Sequence, residues 1–238
     1  MRLAAGLLLL ALTFAGCESN QERSAHLAKL AHHERHAQSG LSIAHASAEV
    51  KVVQTAVLHS AEGTAVVVGL RNVSAHDLHE VPIAITVTDA SGRTLFQNNS
   101  PGLEAALTSL ASLPAHGEAT WVDDQVQASG TPARVSAIVG EAPVASRSIP
   151  RVEVAGVRSS AADAAGGGVA GTVRNRSAVT QQSLVVYVLA RRAGKVLAAG
   201  RAVLPEVAAG TSMPFQAFLV GTTTGAKLEA SAPPTTLP

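Results

Sequence analysis

The string Arg71-Asn72-Val73-Ser74 returns as Arg174-Asn175-Arg176-Ser177, and what surrounds it returns in the same order. In both places a Val-rich run containing a glycine (Gly69; Gly171) leads into the motif. A second apolar run follows (Ile83–Val87; Leu184–Leu189), then a turn with glycine beside a basic residue (Gly92-Arg93; Gly194-Lys195), then a leucine (Leu95; Leu197). Next come Leu113-Pro114-Ala115-His116-Gly117 and Val207-Ala208-Ala209-Gly210, each before an aromatic segment (Trp121; Phe215 and Phe218). A Val-Gly pair closes each copy (Val139-Gly140; Val220-Gly221). Agreement in order over a whole unit marks an internal repeat, so two copies of one fold are expected. The first copy carries an insertion around Leu103–Leu110, and Glu141–Pro150, rich in Pro, Ala and Ser, separates the copies.

Within each copy, Val-dense runs alternate with turn residues, and none has a helical period. Strands are predicted at Glu49–Leu58, Thr64–Asn72, Val81–Asp89, Thr94–Gln97, Glu118–Asp124 and Arg134–Val139. Glu62-Gly63 and Ala90-Ser91-Gly92 supply turns between them. Ile83, Ile85 and Val87 then share one face of their strand, with Ala84, Thr86 and Thr88 on the other. Leu103, Leu107 and Leu110 have the spacing of a helical turn or two. Aromatic residues make up only 3% of the chain, so Val, Leu, Ile and Ala must build the core, with Trp121, Phe215 and Phe218 joining it from equivalent strands.

Short strands, regular turns and no intervening helix predict an all-β protein of two tandem β-sandwiches, residues 48–141 and 149–232, with 233–238 as an extended strap. The order of strand, Gly, Asn-x-Ser, apolar strand, Gly-containing turn and aromatic strand resembles the Ig-like FxLYD domains of bacterial envelope proteins. It is similar also to bacterial cell-adhesion-related Ig-like domains. Ile85-Thr86-Val87-Thr88-Asp89 stands where the name motif falls but lacks its Phe and Tyr, and Leu184–Ala190 lacks the Asp as well. The resemblance implies a fold and a compartment, and carries no catalytic residues.

The N-terminus sets an address. Arg2 precedes the apolar run Leu3–Leu12, and Thr13-Phe14-Ala15-Gly16-Cys17 follows. This resembles the lipobox of bacterial lipoproteins, with Phe14 where the family usually has Leu, Val or Ile. The resemblance implies removal of residues 1–16, lipidation of Cys17, and an extracytoplasmic protein lipid-anchored to a bacterial membrane. Cys17 is the chain's only cysteine, so no disulfide can form. The alternative is an ordinary signal peptide with Cys17 left as a free thiol. The apolar run is shorter than the roughly 20 residues a membrane-spanning helix needs. Residues 17–47 then make the lipidated cysteine and a helical stalk. Ser19–Gln38 is rich in helix formers, Ser19-Asn20-Gln21-Glu22 has capping-box spacing, and Gly40 can end the helix.

With 18 basic against 17 acidic residues, the chain has no field for nucleic acid, and its few aromatics offer no stacking platform. His32 and His36, four apart on the stalk, would share a helix face as a metal pair does. The string His32-His33-Glu34-Arg35-His36 fails the HExxH pattern because position 37 is Ala. His76-Asp77-Leu78-His79 is a second, loop-borne candidate. Residues 166–171 spell GxGxxG but lead into a strand, where a dinucleotide site needs a helix. No Gly-x-Ser-x-Gly and no Ser-x-x-Lys occurs. Asp123-Asp124, the only adjacent carboxylates, read as a polar turn with a weak interest for cations. Asn72-Val73-Ser74, Asn98-Asn99-Ser100 and Asn175-Arg176-Ser177 are sequons; the repeated pair read as turn residues bonding their own backbone. The expected function is therefore a non-enzymatic, cofactor-free envelope lipoprotein. It would be tethered to the membrane through Cys17 and bind a protein or cell-wall component. The rival reading is a metal- or small-ligand-binding lipoprotein using His32 and His36 and serving a transporter.

Overall fold

The computed structural model describes residues 40–160 and 167–238, and the chain there is all-β with antiparallel strands. The first repeat holds β1 (Val50–Ser60), β2 (Gly63–Asn72), β3 (Leu78–Thr88), β4 (Thr94–Gln97), β5 (Ser109–Leu113), β6 (Glu118–Asp123) and β7 (Arg134–Val139). The second holds β8 (Val152–Ser159), β9 (Gly167–Asn175), β10 (Gln181–Arg192), β11 (Lys195–Val207), β12 (Ser212–Gly221) and β13 (Lys227–Ser231). Both repeats belong to one compact unit, Ser39–Pro238. The proposed stalk helix, Cys17, His32 and His36 lie outside the described residues. Among the described residues no helix is long and apolar enough to cross a membrane.

In the first repeat β1-β2-β6 form one sheet, and β3 pairs with β4 and β5 along one edge and β7 along the other. Ile83, Ile85 and Val87 are buried and alternate with half-buried Ala84, Thr86 and Thr88, as a period of two requires. With Val68, Leu70, Leu110 and Trp121 they form the core between the sheets. In the second repeat the strands run β13-β10-β11-β12-β9-β8, and β13 returns against β8. Leu184, Val186, Val188 and Phe215 fill its interior.

The repeat is exact in its polar chemistry at the Asn-x-Ser motif. Asn72 Nδ2 donates to the carbonyls of His76 (2.7 Å), Leu113 (3.4 Å) and Pro114 (3.0 Å). Asn175 Nδ2 donates likewise to Val179 (2.8 Å), Val207 (3.0 Å) and Ala208 (3.3 Å). In each copy the asparagine Oδ1 accepts from the serine N–H and Oγ–H two residues on. Both asparagines are buried. They are more than turn formers: each ties its own turn to the neighbouring loop at the same end of the sandwich, and neither side chain is available to a glycosylation enzyme in the folded protein.

These anchors also size the insertion. Asn72 and Leu113 are 41 residues apart, Asn175 and Val207 only 32. The nine extra residues split one strand into two: β11 runs unbroken along β10, whereas β4 and β5 pair with opposite ends of β3. The helical spacing of Leu103, Leu107 and Leu110 is realised only as a 3-10 turn at Ala105–Leu107, and Leu110 and Leu113 lie in β5 instead. Buried Asn98 mends the gap. Its Oδ1 accepts from Ile85 N–H (2.8 Å) and its Nδ2 donates to the Ile83 and Leu107 carbonyls (2.8 and 2.9 Å), standing in for the strand that has left.

The register corrects three further expectations. Val68 faces Trp121 as Gly171 faces Phe215, so Gly171 is the counterpart of Val68 and not of Gly69. A Cβ on Gly171 would sit 2.7 Å from a ring carbon of Phe215, so the glycine makes room for the ring. Phe218 is not core: it is 62% exposed. Val220-Gly221 closes β12, the counterpart of β6, and so does not match Val139-Gly140 at the end of β7.

His116 and Gly210 are counterparts too, each donating its N–H back to the motif serine carbonyl (3.2 and 3.1 Å). Both adopt left-handed backbone, φ +55° and +69°, which an L side chain disfavours. His116→Gly is therefore expected to stabilise the protein by up to about 1 kcal/mol, read as a raised urea midpoint.

Candidate functional site

Strand β2 is buried on both faces because each face meets a sheet. Val66, Val68 and Leu70 face one side. On the other, ladder neighbours Gln54, Gly69 and Thr120 share a cavity wall with Tyr187, Leu189 and Arg191 of the second repeat. β10 is treated in the same way. Leu184, Val186, Val188 and Ala190 face its own core, whereas Val185, Tyr187 and Leu189 join the core of the first repeat. The two repeats thus meet sheet on sheet, through unlike faces: β1-β2-β6 of one against β10-β11 of the other. The outward face of β3 carries only half-buried Ala84, Thr86 and Thr88 where β10 has Tyr187 and Leu189.

Polar groups punctuate this seam. Arg201, directly across the ladder from Tyr187, has a side chain only 3% exposed. Its Nε donates to Asp124 Oδ1 at 3.0 Å and its backbone N–H to Asp124 Oδ2 at 2.9 Å. The local reason is that β12 pairs with β11 only at Ala198 and Ala199, so Asp124 serves the edge that β12 leaves bare. Glu104, from the insertion, comes within 3.9 Å of Arg201 Nη2, while Nη1 has no partner. The insertion is held in turn by Trp121 Nε1, which donates to the Ala106 carbonyl at 2.9 Å. Arg191 Nη1 adds a further bond across the seam, to Gln54 Oε1 at 2.7 Å.

Asp123-Asp124 is therefore not a solvated turn. Its cation is Arg201, and Asp123 is itself buried. Burial pushes the Asp123 carboxyl up to about 6, against the bond from Gln125 N–H and the attraction of Arg201. Tyr187 is pushed above its ordinary value by the same burial. Ionised Asp123 thus costs stability: the penalty is absent below about pH 4, grows as the unfolded chain loses its proton, and is complete above about pH 6. Asp123→Asn, which keeps the acceptor for Gln125, is expected to remove this dependence. It should raise stability at pH 7 by up to about 3 kcal/mol, with little gain at pH 4, as measured by urea unfolding at both values.

The other sequence candidates fall elsewhere. Asp77, from the His76–His79 string, accepts from Ala115 N–H at 2.8 Å and so fastens two loops. Among the described residues no group of three or more His, Cys, Asp or Glu side chains is placed to hold a metal. The GxGxxG glycines lead into β9. Sequence reasoning missed Arg201, Tyr187 and Asn98. A basic residue inside the apolar run Ala198–Leu204 was the one signal available for Arg201, and nothing local named its partner 77 residues away.

Together these features define an all-β protein of two repeated antiparallel sandwiches joined by a buried seam. Comparison with protein-family models and with curated proteins finds no match to the chain.

Proposed function

We propose that the chain is a non-enzymatic lipoprotein of the bacterial cell envelope, anchored through lipid on Cys17. Its paired Ig-like sandwiches bind or position a protein or a cell-wall component. The observation that carries this reading is the seam. Fourfold burial of Val185, Tyr187, Leu189 and Arg201 against β2 and β6 makes two repeats one rigid scaffold, and rigid scaffolds suit recognition by surface loops. Single exposed apolar side chains at Ile138, Val144 and Phe218 are candidate contacts. The sequence features of Arg2–Cys17 support the anchor, and the similarity to FxLYD domains supports the compartment.

Crosslinking in intact cells, followed by recovery of the lipoprotein, tests the reading. A protein or wall fragment should be captured by the whole chain and lost when residues 48–232 are deleted. Capture that survives the deletion would refute the binding role. For the anchor, wild-type protein should enter the detergent phase and Cys17→Ala the aqueous phase; wild type in the aqueous phase would refute lipidation. The spacing of His32 and His36 supports metal binding as a second reading, for which tight stoichiometric zinc binding abolished by the double alanine variant is the expected result.

A further inference from the structure

The seam contains a cavity of about 450 Å³, within the range of small-molecule sites. The insertion and the start of β3 wall it on one side, β10 and β11 on the other. Its apolar surface comes from Val185, Tyr187 and Val203. Val203 is 47% exposed, an aliphatic side chain left open to solvent beside buried Val185 and Tyr187. Two carboxylates, Glu80 and Glu104, line the same space, and among the described residues no Lys, Arg or His does. Glu80 has no ion-pair partner among the described residues, and Glu104 approaches Arg201 only at 3.9 Å.

The backbone around the cavity is unusual in both repeats at one equivalent place. Glu80 lies between the ladder pairs His79–Ser112 and Val81–Leu110, and Ser183 between Gln182–Glu206 and Leu184–Leu204. Each is left unpaired in the ladder, adopts a left-handed φ (+49° and +48°), and lines the cavity. The register itself is unchanged across both positions, so what departs from regular pleating is the backbone conformation alone. That conformation costs roughly 1 kcal/mol in a residue other than glycine, and here the pair of residues faces one cavity.

We propose that this cavity binds a small organic cation: an ammonium group met by Glu80 and Glu104, carried on a short apolar body that packs against Val185, Val203 and the Tyr187 ring. The class follows from the walls. A neutral apolar molecule leaves both carboxylates unanswered, and an anion meets them as like charges. This inference does not depend on the protein-binding reading or on the stalk histidines, and one can fail without the other.

The test is thermal unfolding of the full chain in detergent with hexylammonium chloride, 1-hexanol or sodium hexanoate at equal ionic strength. Hexylammonium should raise Tm in a saturable way, by about 3–5 °C at tenfold excess over its Kd. Hexanol and hexanoate should not. Glu80→Gln combined with Glu104→Gln removes only exposed charges, so the unliganded Tm should hold while hexylammonium affinity falls more than tenfold. Val203→Lys, which places a tethered ammonium in the cavity, should abolish the shift as well. An equal response to hexanol would show a merely apolar cavity. A response to hexanoate would show that Arg201 governs it. No saturable shift, or one that survives both variants, would equally overturn the proposal.

Discussion

Asn72→Ala is expected to destabilise the protein by about 3–4 kcal/mol, far more than an asparagine at a strand end normally costs. The substitution strips hydrogen bonds from three carbonyls and from Ser74 N–H at a buried position. Each buried group left unsatisfied costs about 1–3 kcal/mol, partly recovered by water and relaxation. Asn175→Ala should cost about as much because its bonds are the same. Asn98→Ala should fall in the same range, since β3 loses both its donor and its acceptor across the split. Asn99→Ala, at the exposed neighbouring position, should change stability by less than about 0.5 kcal/mol. Urea unfolding of the four variants checks the series, and an Asn72→Ala cost below about 1 kcal/mol would show that the motif is a simple turn.

The second large effect is expected at the seam. Asp124→Ala leaves the buried Arg201 guanidinium with no counter-charge nearer than Glu104 at 3.9 Å, and removing one partner of a buried pair typically costs about 3–5 kcal/mol. Arg201→Met should cost much less. It removes the charge that needed an answer, places an apolar chain among Tyr187, Leu189 and Ala199, and leaves Asp124 able to turn to solvent and to keep the Arg201 backbone bond. Arg201→Met combined with Asp124→Asn should lie close to wild type. A double variant as unstable as Asp124→Ala would mean that the pair stabilises the seam outright, and not merely that its rupture is costly.

Strand positions and the repeat could be read from the chain because both rest on local patterns. Alternation at Ile83–Val87, turn residues at Asp89–Arg93 and the returning Asn-x-Ser string each report on a few adjacent residues. Asp89 bears this out, accepting from Ser91 Oγ–H, Ser91 N–H and Arg93 N–H in the hairpin, with its carboxyl held down to about 2 chiefly by the Ser91 hydroxyl. What failed was long-range. β10 reads as a plain apolar strand whether one face or both are covered, so Tyr187 and Leu189 gave no hint of the neighbour they meet. The Asp123-Asp124 pair looks like a solvated turn until Arg201 is brought beside it. Phe218 occupies the place in the second repeat that Asp124 holds in the first, and no sheet among the described residues covers it. The cavity at Glu80 and Glu104 was illegible for the same reason, since its walls come from four strands and an insertion that only the fold assembles.

The two repeats share one core across their seam and are expected to unfold as one body. The chain provides two reporters for it: its only tryptophan, Trp121, lies in the first repeat, and far-ultraviolet circular dichroism weighs the strands of both. Urea unfolding followed by Trp121 fluorescence and by circular dichroism at pH 7 should give superimposable transitions for the wild type. In Asp124→Ala the two curves should separate. Two distinct transitions in the wild type would contradict the account, showing a pair of sandwiches that fold apart and merely touch.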